Sequence, residues 1–223
     1  MLKLIWFFCK EFFVALIEII FPEFCIGCSK IGNLLCCKCY ETVEFLQFPI
    51  KLAKETQLNS VTICCAYSGL AKKIVHELKY KGVIAVGKTV AHILYFTTAP
   101  PSFDIVTFVP IHKKKKKRRG FNQSEIIAKE LAFLFQKPVA ELLLKTIDTK
   151  SQMSLSQKKL RQKNISETIM INPKVSSKAT KKYTSVLLVD DVYTSGTTLN
   201  YCAQILKEFG FKKIHGICFA HEN

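Results

Sequence analysis

Asp190 and Asp191 stand side by side at the end of an apolar run, and a turn of Thr194, Ser195, Gly196, Thr197 and Thr198 follows two residues later. The whole segment, VLLVDDVYTSGTTL, occupies Val186–Leu199. The apolar run reads as a buried strand and the residues after the turn as a helix. In a parallel α/β sheet, ligands gather at the carboxyl ends of strands. The first N–H groups of a helix lack intrahelical partners and carry partial positive charge, which suits a phosphate. Gly196 lets backbone approach such a ligand closely, and the hydroxyls around it add short donors. Two carboxylates beside a phosphate cradle would repel the phosphate itself. They make sense facing sugar hydroxyls or a hydrated metal ion, and a ribose 5-phosphate unit separates its hydroxyls from its phosphate by about that span. The plainer reading is a capped helix after a solvated Asp-Asp turn, since Asp and Thr are common N-caps.

A second cluster, CIGCSKIGNLLCCKC, places Cys25 and Cys28 two residues apart, then Cys36 and Cys39 two residues apart, with seven residues between the pairs. Two such knuckles close a tetrahedral site of four sulfurs, and zinc suits it. With no open position, that zinc is structural. Cys37 reads as a bystander. Unpaired buried thiols and an iron–sulfur cluster are the competing readings.

The third feature is a run of positive charge, Lys113, Lys114, Lys115, Lys116, Lys117, Arg118 and Arg119, followed by Gly120. It reads as a loop joining a strand to a helix. Either it is simply solvated, or it holds a diphosphate or a nucleic-acid backbone over the strand ends. No aromatic series accompanies the lysines, so base-specific readout has no support.

These groups need elements to hold them. The chain has 223 residues, 49% of them hydrophobic, and a formal charge of +16. A core is affordable, wholesale disorder is excluded, and phosphate-rich partners are favoured. Residues 2–21 read as a helix whose Lys3, Lys10, Glu11 and Glu18 share a sector of roughly 100°. Its broad apolar face suits the protein's own body, a partner or a membrane surface. Its longest unbroken apolar runs, Leu4–Cys9 and Phe12–Ile17, are six residues each, short for a spanning helix. No cleavage site is evident, so the ten cysteines read as those of a reducing cytoplasm. From residue 60 onward strands alternate with helices, which implies an α/β domain with a largely parallel sheet. Asn122 with Glu125 three residues on gives a capping-box-like helix start. Residues 145–167 read as a mobile loop or a β-excursion. The expected organisation is an amphipathic helix at 1–24, a zinc-binding module at 25–45 and the α/β domain at 60–223.

The strand, Asp-Asp, two residues, TSGTT, helix order closely resembles the signature of type I phosphoribosyltransferases, which bind 5-phosphoribosyl 1-diphosphate. By that resemblance Asp190 and Asp191 hold the ribose hydroxyls, Thr194–Thr198 cradle the 5-phosphate, and Mg²⁺ accompanies the diphosphate. Arg119 and Gly120 resemble the diphosphate-loop region. Together FPEFCIGC, LKYKG, VPIH…RRGFNQS, TKSQMSLSQKKLRQKN and VLLVDDVYTSGTT look like a ComF-type protein over nearly the whole chain. One departure is the five-lysine run, where arginines are more usual. The resemblance implies a type I phosphoribosyltransferase-like fold with an N-terminal zinc module. It places Thr149, Gln152, Arg161 and Asn164 near the ligand as a hood or flexible loop. It implies DNA uptake in natural competence, single-stranded DNA bound by the knuckles and by Lys113–Arg118, and a helicase-like competence partner. The protein is expected to be cytoplasmic, with a peripheral inner-membrane contact through its N-terminal helix. The rival reading is a cytosolic phosphoribosyltransferase of nucleotide salvage that transfers the ribosyl group and releases diphosphate.

Overall fold

The structure is a computed structural model that describes residues 22–46, 56–80, 84–146 and 169–222. The helix expected at 2–21 and the loop candidates Thr149, Gln152, Arg161 and Asn164 lie outside the described residues. After a helical turn α1 (Cys37–Tyr40) come β1 (Ser60–Ala66), α2 (Gly69–Tyr80), α3 (Ile84–Thr97), β2 (Ile105–Phe108) and α4 (Lys113–Arg119). Then follow α5 (Gln123–Leu134), β3 (Leu143–Lys145), β4 (Ile169–Ile171), α6 (Ala179–Lys182), β5 (Ser185–Tyr193), α7 (Thr197–Phe209) and β6 (Lys213–His221). Among the described residues, no helix is long and apolar enough to cross a membrane.

Four strands form one sheet in the order β1-β6-β5-β2, and every pairing in it is parallel. This is the parallel α/β sheet expected from the alternation of strands and helices. The central strands are apolar on both faces because helices cover both. Leu187 and Val189 of β5 pack with Leu78 of α2, Leu94 of α3 and Leu131 of α5. Their neighbours Val186 and Leu188 face the other way, toward Leu199, Cys202 and Leu206 of α7. Leu187 and Leu188 are fully buried, and each such side chain contributes about 2 kcal/mol. Helix α7 ends at Gly210, whose φ of 117° is the left-handed stop that glycine supplies.

Hydrogen bonds continue past both edge strands. Leu46 N–H donates to Cys64 and Ala66 N–H to Glu44, so residues 44–46 lie antiparallel along β1. On the other side Val106 N–H donates to Pro138, and Ala140 N–H to Val106. At the start of β5, Asp104 Oδ2 accepts four hydrogen bonds, from the N–H and hydroxyl of both Thr184 and Ser185, at 2.8–3.0 Å. Those amides and hydroxyls outweigh desolvation and bring its carboxyl down to about 2. β3 and β4 pair antiparallel, and the stretch between them, where a mobile loop or a β-excursion is expected over 145–167, lies outside the described residues from 147 onward.

Candidate functional site

Strand β5 runs through the acid pair to Tyr193, so Asp190 and Asp191 sit in its last turn of pleat rather than beyond it. Alternation sends the two side chains to opposite faces. The charge of Asp190 is felt by the buried thiols of Cys202 in α7 and Cys218 in β6, whose pKa values are raised chiefly by burial. Asp190 Oδ1 accepts from Ser124 Oγ at 2.9 Å, at the start of α5. Burial, then the neighbouring Asp191, raises its carboxyl to about 7, against the pull of Ser124, the Asp191 N–H and Lys79. Asp191 turns toward α2, where Lys79 Nζ meets its Oδ2 at 3.0 Å. Burial disfavours the Lys79 ammonium, but Asp191 outweighs it and the lysine pKa rises.

The turn after β5 is built around Gly196, whose φ of 70° is left-handed. A Cβ there would also run into the Tyr193 hydroxyl, so the ring of Tyr193 lies directly against the turn. Gly196 is the N-cap of α7 and offers no side-chain cap, which leaves the first N–H groups of the helix for another acceptor. Thr194 and Ser195 are exposed, and Ser195 and Thr197 exchange a hydroxyl hydrogen bond of 2.9 Å. The acid pair and the turn of hydroxyls, glycine and amides thus adjoin one another at the carboxyl end of β5.

The basic run is helix α4, not the loop expected from its composition. Lysine and arginine are adequate helix formers, and the ends are well made. His112 accepts from the Lys114 N–H, and Gly120 closes the helix at φ 85°. The helix divides the run into two faces. Lys113, Lys114, Lys117 and Arg118 are exposed, whereas Lys115, Lys116 and Arg119 lean inward. Lys116 meets Glu125 at 2.7 Å, and Arg119 Nη1 donates to Gln123 at 3.2 Å. Lys115 has its pKa lowered by burial and then by Arg119, Lys145 and Lys79, while Asp191 pulls it the other way. Of the inward face, Lys115 feels Asp191, while Lys116 and Arg119 are engaged by α5; the outward face meets solvent. Asn122 does cap α5, accepting from the Ser124 N–H at 3.2 Å. Glu125 does not complete the capping box, because it bonds Lys116 and Lys129 instead.

In the cysteine module, Cys25, Cys28, Cys36 and Cys39 bring their sulfurs within 4.8 Å of one another. Cys28 and Cys36 are 3.7 Å apart, close to the edge of a tetrahedron with metal–sulfur bonds of about 2.3 Å. Cys37 is exposed and outside this set. Gly27 is required by the packing, since a Cβ there would lie 2.5 Å from Cys39 Sγ. Burial opposes a thiolate at Cys25, but the N–H groups of Cys36, Cys28 and Gly27 bring it down to about 6. The Cys36 hydrogen bond, then burial, pushes Cys39 up to about 12. A bound cation would favour the thiolate form of the ligating sulfurs. The donors and spacing fit a metal ion.

Lys79 and Ser124 are contacts of the acid pair that the sequence did not assign. Lys79 and Ser124 lie in the LKYKG and RGFNQS segments, but nothing local ties them to aspartates over 60 residues away.

Comparison with known proteins adds to this geometry. Residues 102–223, more than half of the chain, match the family described as phosphoribosyl transferase domain. The chain is 26% identical over 171 residues to competence protein F of Haemophilus influenzae, covering 73% of each chain. It is 24% identical over 204 residues to the DNA utilization protein YhgH of Escherichia coli strain K12, covering 87% of each. It is 26% identical over 147 residues to competence protein ComFC of Bacillus subtilis, covering 65% of this chain and 56% of that one.

Proposed function

The chain belongs to the phosphoribosyl transferase domain family, and from that premise we propose that it binds Mg²⁺-5-phosphoribosyl 1-diphosphate and serves DNA uptake by holding single-stranded DNA. The observation that carries the ligand half is the meeting of Asp190, Asp191 and the uncapped start of α7 at one end of β5. Asp190 and Asp191 take the ribose hydroxyls, and the amides and hydroxyls of Thr194–Thr198 take the 5-phosphate. The inward cations of α4 answer the diphosphate, and Mg²⁺, if carried in with it, supplies charge neutralisation on phosphate oxygens. Zn²⁺ fills the Cys25, Cys28, Cys36 and Cys39 site and ties the module together.

Support for the DNA half comes from the relatives named for competence and DNA utilization and from α4. Lys113, Lys114, Lys117 and Arg118 line one exposed helix face, a spacing that can follow a phosphate backbone. The protein works at the cytoplasmic side of the inner membrane, where a helicase-like partner would hand strand to it.

Calorimetry with phosphoribosyl diphosphate, with and without Mg²⁺, tests the ligand half. Asp190→Ala with Asp191→Ala should abolish binding, and binding that survives both changes refutes the assignment. Changing the four exposed cations of α4 to Gln should weaken single-stranded DNA binding. Each lost phosphate contact should also flatten the log–log salt slope by about 0.7. An unchanged slope would leave that face without a nucleic-acid role.

A further inference from the structure

Lys79 reaches Asp191 from the last turn of α2, and the pair is mostly withdrawn from water, with side chains 26% and 13% exposed. The charge around this pair is uneven. Lys115 of α4 is half-buried, and the cations acting on it are Arg119 of the same helix, Lys145 of β3 and Lys79 of α2. The acid acting on it is Asp191. Lys115 therefore feels cations from three elements, Lys79 among them, together with the acid that Lys79 already occupies. A lysine on a flexible four-carbon stem can leave one acceptor for another, but only if the second acceptor is there.

Resting on the phosphoribosyl diphosphate reading, we propose that Lys79 is the specificity-determining residue of the site: it holds Asp191 while the site is empty and passes to an anionic group on C1 of the sugar when the sugar hydroxyls take Asp191. A ligand with hydroxyls and a 5-phosphate but no charge at C1 takes Asp191 from Lys79 and gives nothing back. Lys79 then keeps the more distant attraction of Asp190 against the repulsion of Lys115, and breaking one partner of a buried pair is strongly unfavourable. A ligand with a diphosphate at C1 replaces the lost partner. Discrimination comes from what the wrong ligand leaves unpaired, a form of selection against the competitor. Lys79 touches no reacting bond in this account and acts by exchanging partners.

The test uses the full chain and calorimetry with Mg²⁺-phosphoribosyl diphosphate and with ribose 5-phosphate. Wild-type protein should prefer the diphosphate by at least about tenfold. Lys79→Met should lose most of that preference, by weaker binding of the diphosphate and equal or tighter binding of ribose 5-phosphate. Lys79→Arg should restore the preference. A Lys79→Met protein that loses affinity for both ligands by the same factor, or that keeps the wild-type preference, overturns the proposal while leaving the ligand site intact. Wild-type protein that binds neither ligand overturns both the site and the proposal. Should Lys79→Met fail to fold, Lys79→Gln carries the same expectations.

Discussion

Replacing Ser124 with Ala should move the pH at which the ligand site becomes competent. Asp190 is held near 7 by burial and by the charge of Asp191, and Ser124 Oγ is one of the groups that favours its ionised form. A hydrogen bond to a charged group is worth about 1.5–3 kcal/mol, and about 1.4 kcal/mol corresponds to one pH unit. Loss of the hydroxyl should therefore raise the Asp190 midpoint by about one to two pH units. At pH 7 the ionised fraction falls from about one half to between about 1% and 10%. If sugar hydroxyls bind the carboxylate form, affinity at pH 7 falls by about 5- to 50-fold and recovers near pH 9 to 10. Ser to Ala removes little volume, so a stability loss does not mimic the effect. Stability moves with the same group. A folded carboxyl raised above its unfolded value near 4 contributes stability that is complete below about pH 4 and lost as pH rises through 7. In the Ser124→Ala protein that loss should extend to higher pH. Calorimetric affinity from pH 6 to 10, with carboxyl carbon-13 shifts of Asp190, measures both. Identical midpoints in the two proteins would refute the reasoning.

Gly196→Ala places a side chain at φ 70° against the Tyr193 hydroxyl, so it should cost about 1–2 kcal/mol of stability and at least tenfold in ligand affinity. Denaturant melts and calorimetry check the two parts, and a variant that binds as wild type shows that the turn is not the cradle. Asp104→Ala strips four hydrogen bonds from the start of β5 and should cost about 2–3 kcal/mol. Because the Asp104 carboxyl is depressed to about 2, its contribution is present above about pH 4 and disappears as pH falls through 2. A melt at pH 7 that matches wild type would leave those bonds without weight. Metal analysis should return about one zinc per chain by the four-sulfur argument. Cys37→Ser should keep that zinc and Cys25→Ser should lose it, whereas a stable, metal-free wild-type protein would dismiss the site.

The local parts of the site were legible in the sequence, and the parts that span it were not. VLLVDDVYTSGTTL announces strand, acids, turn and helix because a single segment carries the whole pattern. The two cysteine pairs are legible for the same reason: ligand spacing is written along fewer than twenty residues. The helix over Lys113–Arg119 was hidden because seven like charges carry no apolar periodicity. Only its caps, His112 and Gly120, mark its ends. The Glu125 half of the capping box failed because two lysines compete for that carboxylate. Lys79 and Asp191 are brought together by α2 lying over the face to which Asp191 points, a packing outcome that no short window encodes.

The bonds that Glu44 and Leu46 make along β1, and that Pro138 and Ala140 make along β2, cover part of each margin of the described sheet. A protein begun at residue 60 would uncover one of those margins, and bare margins invite sideways stacking into aggregates. Loss of the small cysteine-bearing unit should therefore favour self-association. Chelators should turn solutions of the intact chain cloudy well before they unfold its core.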